Sequence, residues 1–136
     1  MTQPHPDIER FVRRTLGCCC SDDVFRLVAV ADGQSRDGTG FTRLIIGGRL
    51  LIYILEQPAE GSVAALVGAL AAQGLAERES RAYNRFRLVL ACDDPAAANG
   101  EAESAFRRLA GGDDRAHLHL LAPAELPAIL SSPGRR

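Results

Sequence analysis

Leu44-Ile45-Ile46-Gly47-Gly48-Arg49-Leu50-Leu51-Ile52-Tyr53-Ile54-Leu55 is the stretch that decides how this chain folds. Two β-rich runs flank a Gly-Gly pair, and consecutive glycines let both central residues of a tight turn take positive φ. The stretch therefore reads as a hairpin. Its second run, Leu50 to Leu55, is apolar at every position and has no side to offer to water. Such a strand belongs in mid-sheet with a layer packed on each face.

Before the hairpin, Phe25 to Ala31 is a further β-rich run, and Asp32 to Gly40 reads as a polar, mobile hairpin loop too hydrophilic to pack. Pro6 to Leu16 has helical spacing: Ile8, Phe11, Val12 and Leu16 share one face. Pro6 suits the first helical position, and Gly17 offers a left-handed cap.

After the hairpin the period changes from two to 3.6. Ser62 can cap a helix running to about Glu77, with Val63, Leu66, Val67 and Leu70 at helical spacing. Arg85 to Ala91 is a strand with Phe86, Leu88 and Leu90 on one face and Arg85 and Arg87 on the other. Asp94-Pro95 opens a helix ending near Ala110, although Asn99-Gly100 weakens its first half and could move the start toward Glu101. Ala116 to Leu121 is the last strand, Leu126 to Leu130 one helical turn, and Ser131 to Arg136 a frayed tail. The order αβββαβαβ predicts a single α/β (or α+β) domain over residues 1–136. Its mixed sheet has about five strands, is parallel in its later part, and is flanked by helices.

Composition narrows the function. The chain has 136 residues, 46% of them hydrophobic and 24% charged, as in an ordinary globule. Its formal net charge of −1 supplies no bulk attraction to nucleic acid or anionic membrane, so neither is an expected partner. All 16 basic side chains are arginine. Without lysine there is no P-loop, no Schiff-base chemistry and no Ser-Lys nucleophile. Met1 to Asp7 lacks a signal-peptide pattern, and the apolar window Val63 to Ala76 is shorter than the roughly 20 residues of a membrane span. Three consecutive cysteines, Cys18 to Cys20, with the fourth distant at Cys92, make a poor disulfide framework. A reducing cytoplasm is the expected setting.

Leu16-Gly17-Cys18-Cys19-Cys20-Ser21-Asp22-Asp23-Val24-Phe25 resembles a motif of a family of small prokaryotic proteins. That motif reads L-G-C-x-C-P, two mostly acidic or polar residues, then V-F. Ile46 to Tyr53, Asn84 to Arg87 and His117-Leu118-His119 are similar to the same family, so the likeness is scattered over most of the chain. Ser21 stands where the motif has proline, which leaves the local turn less fixed. The resemblance implies that Cys18 and Cys20 are the relevant pair and brings no activity with it.

A C-x-C pair can hold a soft metal through two thiolates, form a strained disulfide, or pack as small buried hydrophobes. All three readings stand. Asp22 and Asp23 favour a dication over a reactive thiolate, because carboxylates raise thiol pKa. His117 and His119, two apart in a strand, project from one face and can converge on one ion, although such a pair also occurs in ordinary half-exposed strands. Cys92-Asp93-Asp94 lies at the carboxyl end of its strand, where α/β sheets bind ligands, but Asp94 is equally the cap before Pro95. Arg78, Arg81, Arg85 and Arg87 interleave with Glu77 and Glu79 and read as a solvated, ion-paired surface. The αβββαβ opening echoes restriction-endonuclease-like folds, yet Glu56-Gln57-Pro58 does not supply their E-x-K motif.

Two functions follow as expectations. One is a small metal-binding protein with zinc held by Cys18, Cys20, His117 and His119 in a structural or accessory role. The other is a non-catalytic interaction module, homodimeric through the Ala/Gly-rich helix Ser62 to Ala76 or an edge strand, with purely structural cysteines. The chemistry leans away from an enzyme.

Overall fold

The computed structural model describes residues 6–17, 28–35, 39–56, 62–127 and 130. Five strands form one mixed sheet in the order β1 (Val28–Gln34), β2 (Gly40–Ile46), β3 (Leu50–Glu56), β4 (Arg85–Ala91) and β5 (Ala116–Leu121). β1, β2 and β3 pair antiparallel as a meander, while β3–β4 and β4–β5 are parallel. The parallel pairs require crossovers, supplied by α2 (Val63–Ser80) and α3 (Pro95–Ala110). α1 (Pro6–Arg10), prolonged by a π-helical turn over Phe11–Thr15, covers the opposite face. The sheet is thus mixed, with helices on both faces, as the element order predicts.

The hairpin forms as its glycines dictate. Gly47 and Gly48 have φ of 61° and 65°, and the Arg49 N–H closes the turn on the Ile46 carbonyl at 3.1 Å. β3 takes the centre of the sheet with Leu50 to Leu55 all buried. Its even positions, Leu50, Ile52 and Ile54, pack with Ile8, Val12 and Leu16. Its odd positions, Leu51, Tyr53 and Leu55, pack with Leu70, Phe86 and Phe106.

Both crossover helices start at their expected caps. Ser62 Oγ accepts from the Ala65 N–H at 3.2 Å, and Asp94 Oδ1 from the Ala97 N–H at 3.1 Å. α3 starts at Pro95 despite Asn99-Gly100, because the Asp94 cap and Pro95 together fix its first turn. α2 runs three residues past Glu77, to Ser80.

Two local expectations are corrected. The polar stretch after Ala31 is not all loop: Asp32, Gly33 and Gln34 continue β1 and pair with Thr42, Phe41 and Gly40. An edge strand needs only one covered face, so polar residues can extend it. Ser35 and Thr39 then close the connection, with Ser35 N–H donating to the Thr39 carbonyl at 2.8 Å. The opening helix does not run uniformly α to Leu16; its second half is a π turn in which the Leu16 N–H reaches the Phe11 carbonyl. After β5 a 3₁₀ turn over Pro123–Glu125 comes first, its Glu125 carboxylate accepting from the Ala122 N–H at 2.9 Å; within the expected turn, Leu130 is 3₁₀ and donates its N–H to the Pro127 carbonyl at 2.9 Å. The expected strand start at Phe25 and the tail from Ser131 lie outside the described residues. Among the described residues, no helix is long and apolar enough to cross a membrane.

The α2–β4 contact gives a paired test. A Cβ on Gly74 would meet the Phe86 ring at 2.2 Å, whereas one on Gly68 would meet nothing within 4 Å. Gly74→Ala is expected to destabilise by about 1–3 kcal/mol through overpacking. Gly68→Ala is expected to stabilise by about 0.5–1 kcal/mol through helix propensity. Urea unfolding of both variants measures the opposite signs.

Candidate functional site

The histidines come first because β5 places them. Period-two alternation puts His117 and His119 on the face covered by α1, with Ala116, Leu118 and Leu120 on the face of α2 and α3. In register, His117 lies beside Arg87 and His119 beside Val89. The two imidazoles therefore share a face, as their spacing predicts, and Arg87 shares it with them.

Arg87 corrects the surface reading of the arginines. It is only 7% exposed. Its part of the strand is covered on both sides, by α2 and α3 on one face and by the α1 region on the other, so Arg87 is buried while Arg85, at the start of β4, is exposed. Arg87 Nη1 donates to the Leu16 carbonyl at 2.8 Å and lies 2.8 Å from His119 Nε2. A guanidinium has donors only, so His119 Nε2 must accept and the imidazole carries its proton on Nδ1. The π turn makes this contact, since it ends at Leu16 and presents that carbonyl to the sheet.

Burial and, after it, the charges of Arg87 and His117 push His119 down to about 4. His117 is lowered too, by burial first and then by the Arg87 and Arg85 cations. Both imidazoles are neutral at pH 7, a state fit for ligation or for accepting hydrogen bonds. The Nε2 of His119 is already engaged by Arg87, however, and a cation there would face the guanidinium charge.

Cys18 and Cys20 lie outside the described residues. The chain leading to them does not: Leu16, two residues before Cys18, is the residue held by Arg87. Cys92 sits at the end of β4 with its N–H on the Leu121 carbonyl at 2.9 Å. It is buried, and its thiol is pushed up by that burial and then by Asp94 and Asp93. It stands three residues past Val89, the neighbour of His119, or about 10 Å along the strand. Among the described residues, no group of three or more His, Cys, Asp or Glu side chains is placed to hold a metal.

A second polar cluster lies on the opposite face. Glu77 of α2 accepts from Arg43 of β2, at 2.7 Å from Nε and also from Nη2, and from the Tyr53 hydroxyl of β3. Burial alone would raise Glu77, but the hydrogen bonds from Arg43 and Tyr53 outweigh it and hold the carboxyl below its usual range. Burial and that same hydrogen bond to Glu77 raise the Tyr53 phenol. Tyr53 also stacks between Phe41 and Phe86, with ring centroids at 4.3 and 5.2 Å. All three polar groups are thereby committed to clamping α2 onto the β2–β3 hairpin. Sequence reasoning missed this clamp, because Arg43 and Glu77 are 34 residues apart.

Among the described residues, a groove of about 360 Å³ lies where α3 overhangs β5, lined by Asn99, Glu103, Phe106, Arg107, Asp113 and His117 among others. β5 is the last strand of the sheet among the described residues. The carbonyls of Arg115 and Leu121 accept from β4 and the loop after it, so alternation turns the N–H and C=O of Leu118 and Leu120 outward. No family model, no curated protein and no solved structure matches the chain.

The His119 shift predicts a pH signature. The unfolded chain takes up this proton near 6.5 and the folded chain only near 4. The unfolded state thus binds more protons across that window, so stability falls as the pH drops through it; His117 adds the same sign. His119→Gln is expected to flatten this part of the urea-midpoint profile. An unchanged slope in the variant would contradict the assignment.

Proposed function

We propose that the protein is a non-catalytic interaction module whose working surface is the outer edge of β5, which takes up an extended polypeptide strand. One observation carries this reading: the two edges of the sheet differ. β1 ends in Asp32, Gly33 and Gln34, with Asp32 exposed, and a charge and a glycine blunt an edge. β5, Ala-His-Leu-His-Leu-Leu, has no formally charged residue at neutral pH, no proline and an unbroken ladder to β4, and its middle four residues are partly exposed. Outward N–H and C=O groups supply the hydrogen bonds of strand addition, and the groove beside α3 receives alternate side chains. The polar clusters support a non-catalytic role, since Glu77 is committed to Arg43 and Tyr53 and His119 to Arg87. A net charge of −1 fits a protein partner better than nucleic acid, and a cysteine pattern that makes a poor disulfide framework fits the cytoplasm.

The test uses a soluble peptide of alternating threonine and valine as the incoming strand. Its addition is expected to slow exchange of the Leu118 and Leu120 amides at least about tenfold. Leu120→Pro, which removes one outward donor, is expected to reduce peptide binding while thermal melting confirms the fold. Amides in a monomer that exchange equally fast with and without peptide would refute the reading.

A second reading, a zinc site of Cys18, Cys20, His117 and His119, is favoured by the tether from Leu16 through Arg87 to His119. It brings Leu16, two residues before Cys18, to the face that carries both imidazoles. Ligation through His119 Nε2 requires Arg87 to release that nitrogen. Metal analysis of untagged protein purified without chelator decides it. About one equivalent of zinc or iron, lost in the Cys18→Ser/Cys20→Ser variant, is the outcome this reading requires. Metal-free folded protein excludes it.

A further inference from the structure

Resting on the interaction-module reading, we propose that the strand added to β5 is β5 of a second copy. The two sheets join about a two-fold axis, with Glu103 and Arg107 of one α3 facing Arg107 and Glu103 of the other.

A two-fold axis perpendicular to the sheet makes the two β5 strands antiparallel, and Leu118 and Leu120 exchange backbone hydrogen bonds with their counterparts. The same operation lays the two α3 helices antiparallel on one face of the joined sheet. An isologous contact needs a self-complementary patch, in which residue i meets j and j meets i. The flank of α3 that overhangs β5 carries such a pair. Glu103 and Arg107 are one helical turn apart, bonded at 2.9 Å within the chain, and both line the groove beside β5. Head to tail across the axis, each acid meets a base.

The choice of a second copy over a foreign strand rests on this charge complementarity. A foreign strand would find alternating charges on the groove wall with no charge pattern of its own to match them. The assembly also closes: of the two sheet edges among the described residues it consumes β5, while Asp32 and Gly33 on β1 discourage addition at the far side, so growth stops at two chains.

Sedimentation equilibrium of the full chain is expected to give twice the 14.6 kDa mass. Glu103→Arg leaves two positive charges on the patch and Arg107→Glu two negative ones, so each variant alone is expected to self-associate at least about tenfold more weakly. An equimolar mixture of the two variants is expected to recover the dimer, because each then meets its complement. Both substitutions are at exposed positions, and circular-dichroism melts check the fold.

A monomeric wild-type chain overturns the second-copy assignment. If the threonine–valine peptide still protects Leu118 and Leu120, β5 remains a docking edge for another chain. If it does not, the underlying reading falls too. Single variants that dimerise as well as the wild type, or a mixture that does no better than either alone, also overturn the assignment.

Discussion

Leu50 to Leu55 has no polar face, and that constraint organises the molecule. A strand apolar on both sides must be sandwiched, so the sheet needs a helical layer above and another below. The hairpin turn at Gly47-Gly48 fixes its antiparallel neighbour on one side. On the other side only a parallel strand can follow α2, because the chain leaves β3 at one end of the sheet and returns from its other end. α2 and α3 then occupy one face by connectivity, and the opening helix is left to cover the other. The burial of Ile8, Phe11, Val12 and Leu16 against the even positions of β3 follows from that division.

Among the described residues, the one charge set deep in this arrangement is Arg87. A buried guanidinium is costly unless its donors are met, and its position next to the π turn shows how the α1 layer meets one of them. The i+5 bond from Leu16 to Phe11 places the Leu16 carbonyl where Nη1 can reach it. The neutral His119 ring offers a second acceptor. The interaction registers the α1 layer against β4 and β5 in a way that apolar packing alone would not, since apolar contact is non-directional. It also explains why histidine rather than an apolar residue stands in the middle of β5.

Much of the architecture was legible in the sequence because it is written in local signals. The Gly-Gly turn, the Ser62 and Asp94 caps, the bounds of β4 and β5, and the shared face of His117 and His119 all follow from neighbours within a few residues. The site chemistry was less legible, because it depends on coverage. Alternation assigns Arg87 to a face, but whether that face is wet depends on a helix 71 residues away. The Arg43–Glu77–Tyr53 clamp is hidden for the same reason, as are the extra strand residues Asp32 to Gln34, whose polarity argues for loop until an edge position is known. The cysteine pair lies outside the described residues, so its reading rests on the sequence and on the position of Leu16.

The asymmetry of the two edges traces to connectivity. β1 and β2 are joined by a short turn, so turn-forming residues run directly into the ladder, and Asp32, Gly33 and Gln34 blunt that edge as a by-product of closing it. β5 arrives instead at the end of a parallel run, where each strand lies beneath a helix layer and is built from residues suited to burial. β5 keeps apolar Leu118 and Leu120 under the α2–α3 layer, carries His117 and His119 on its other face, and has no strand beyond it among the described residues. In this fold the antiparallel half ends on a strand blunted by Asp32 and Gly33, and the parallel half on one without a formal charge. The make-up of the β5 edge is thus a consequence of the same constraint that put Leu50 to Leu55 at the centre.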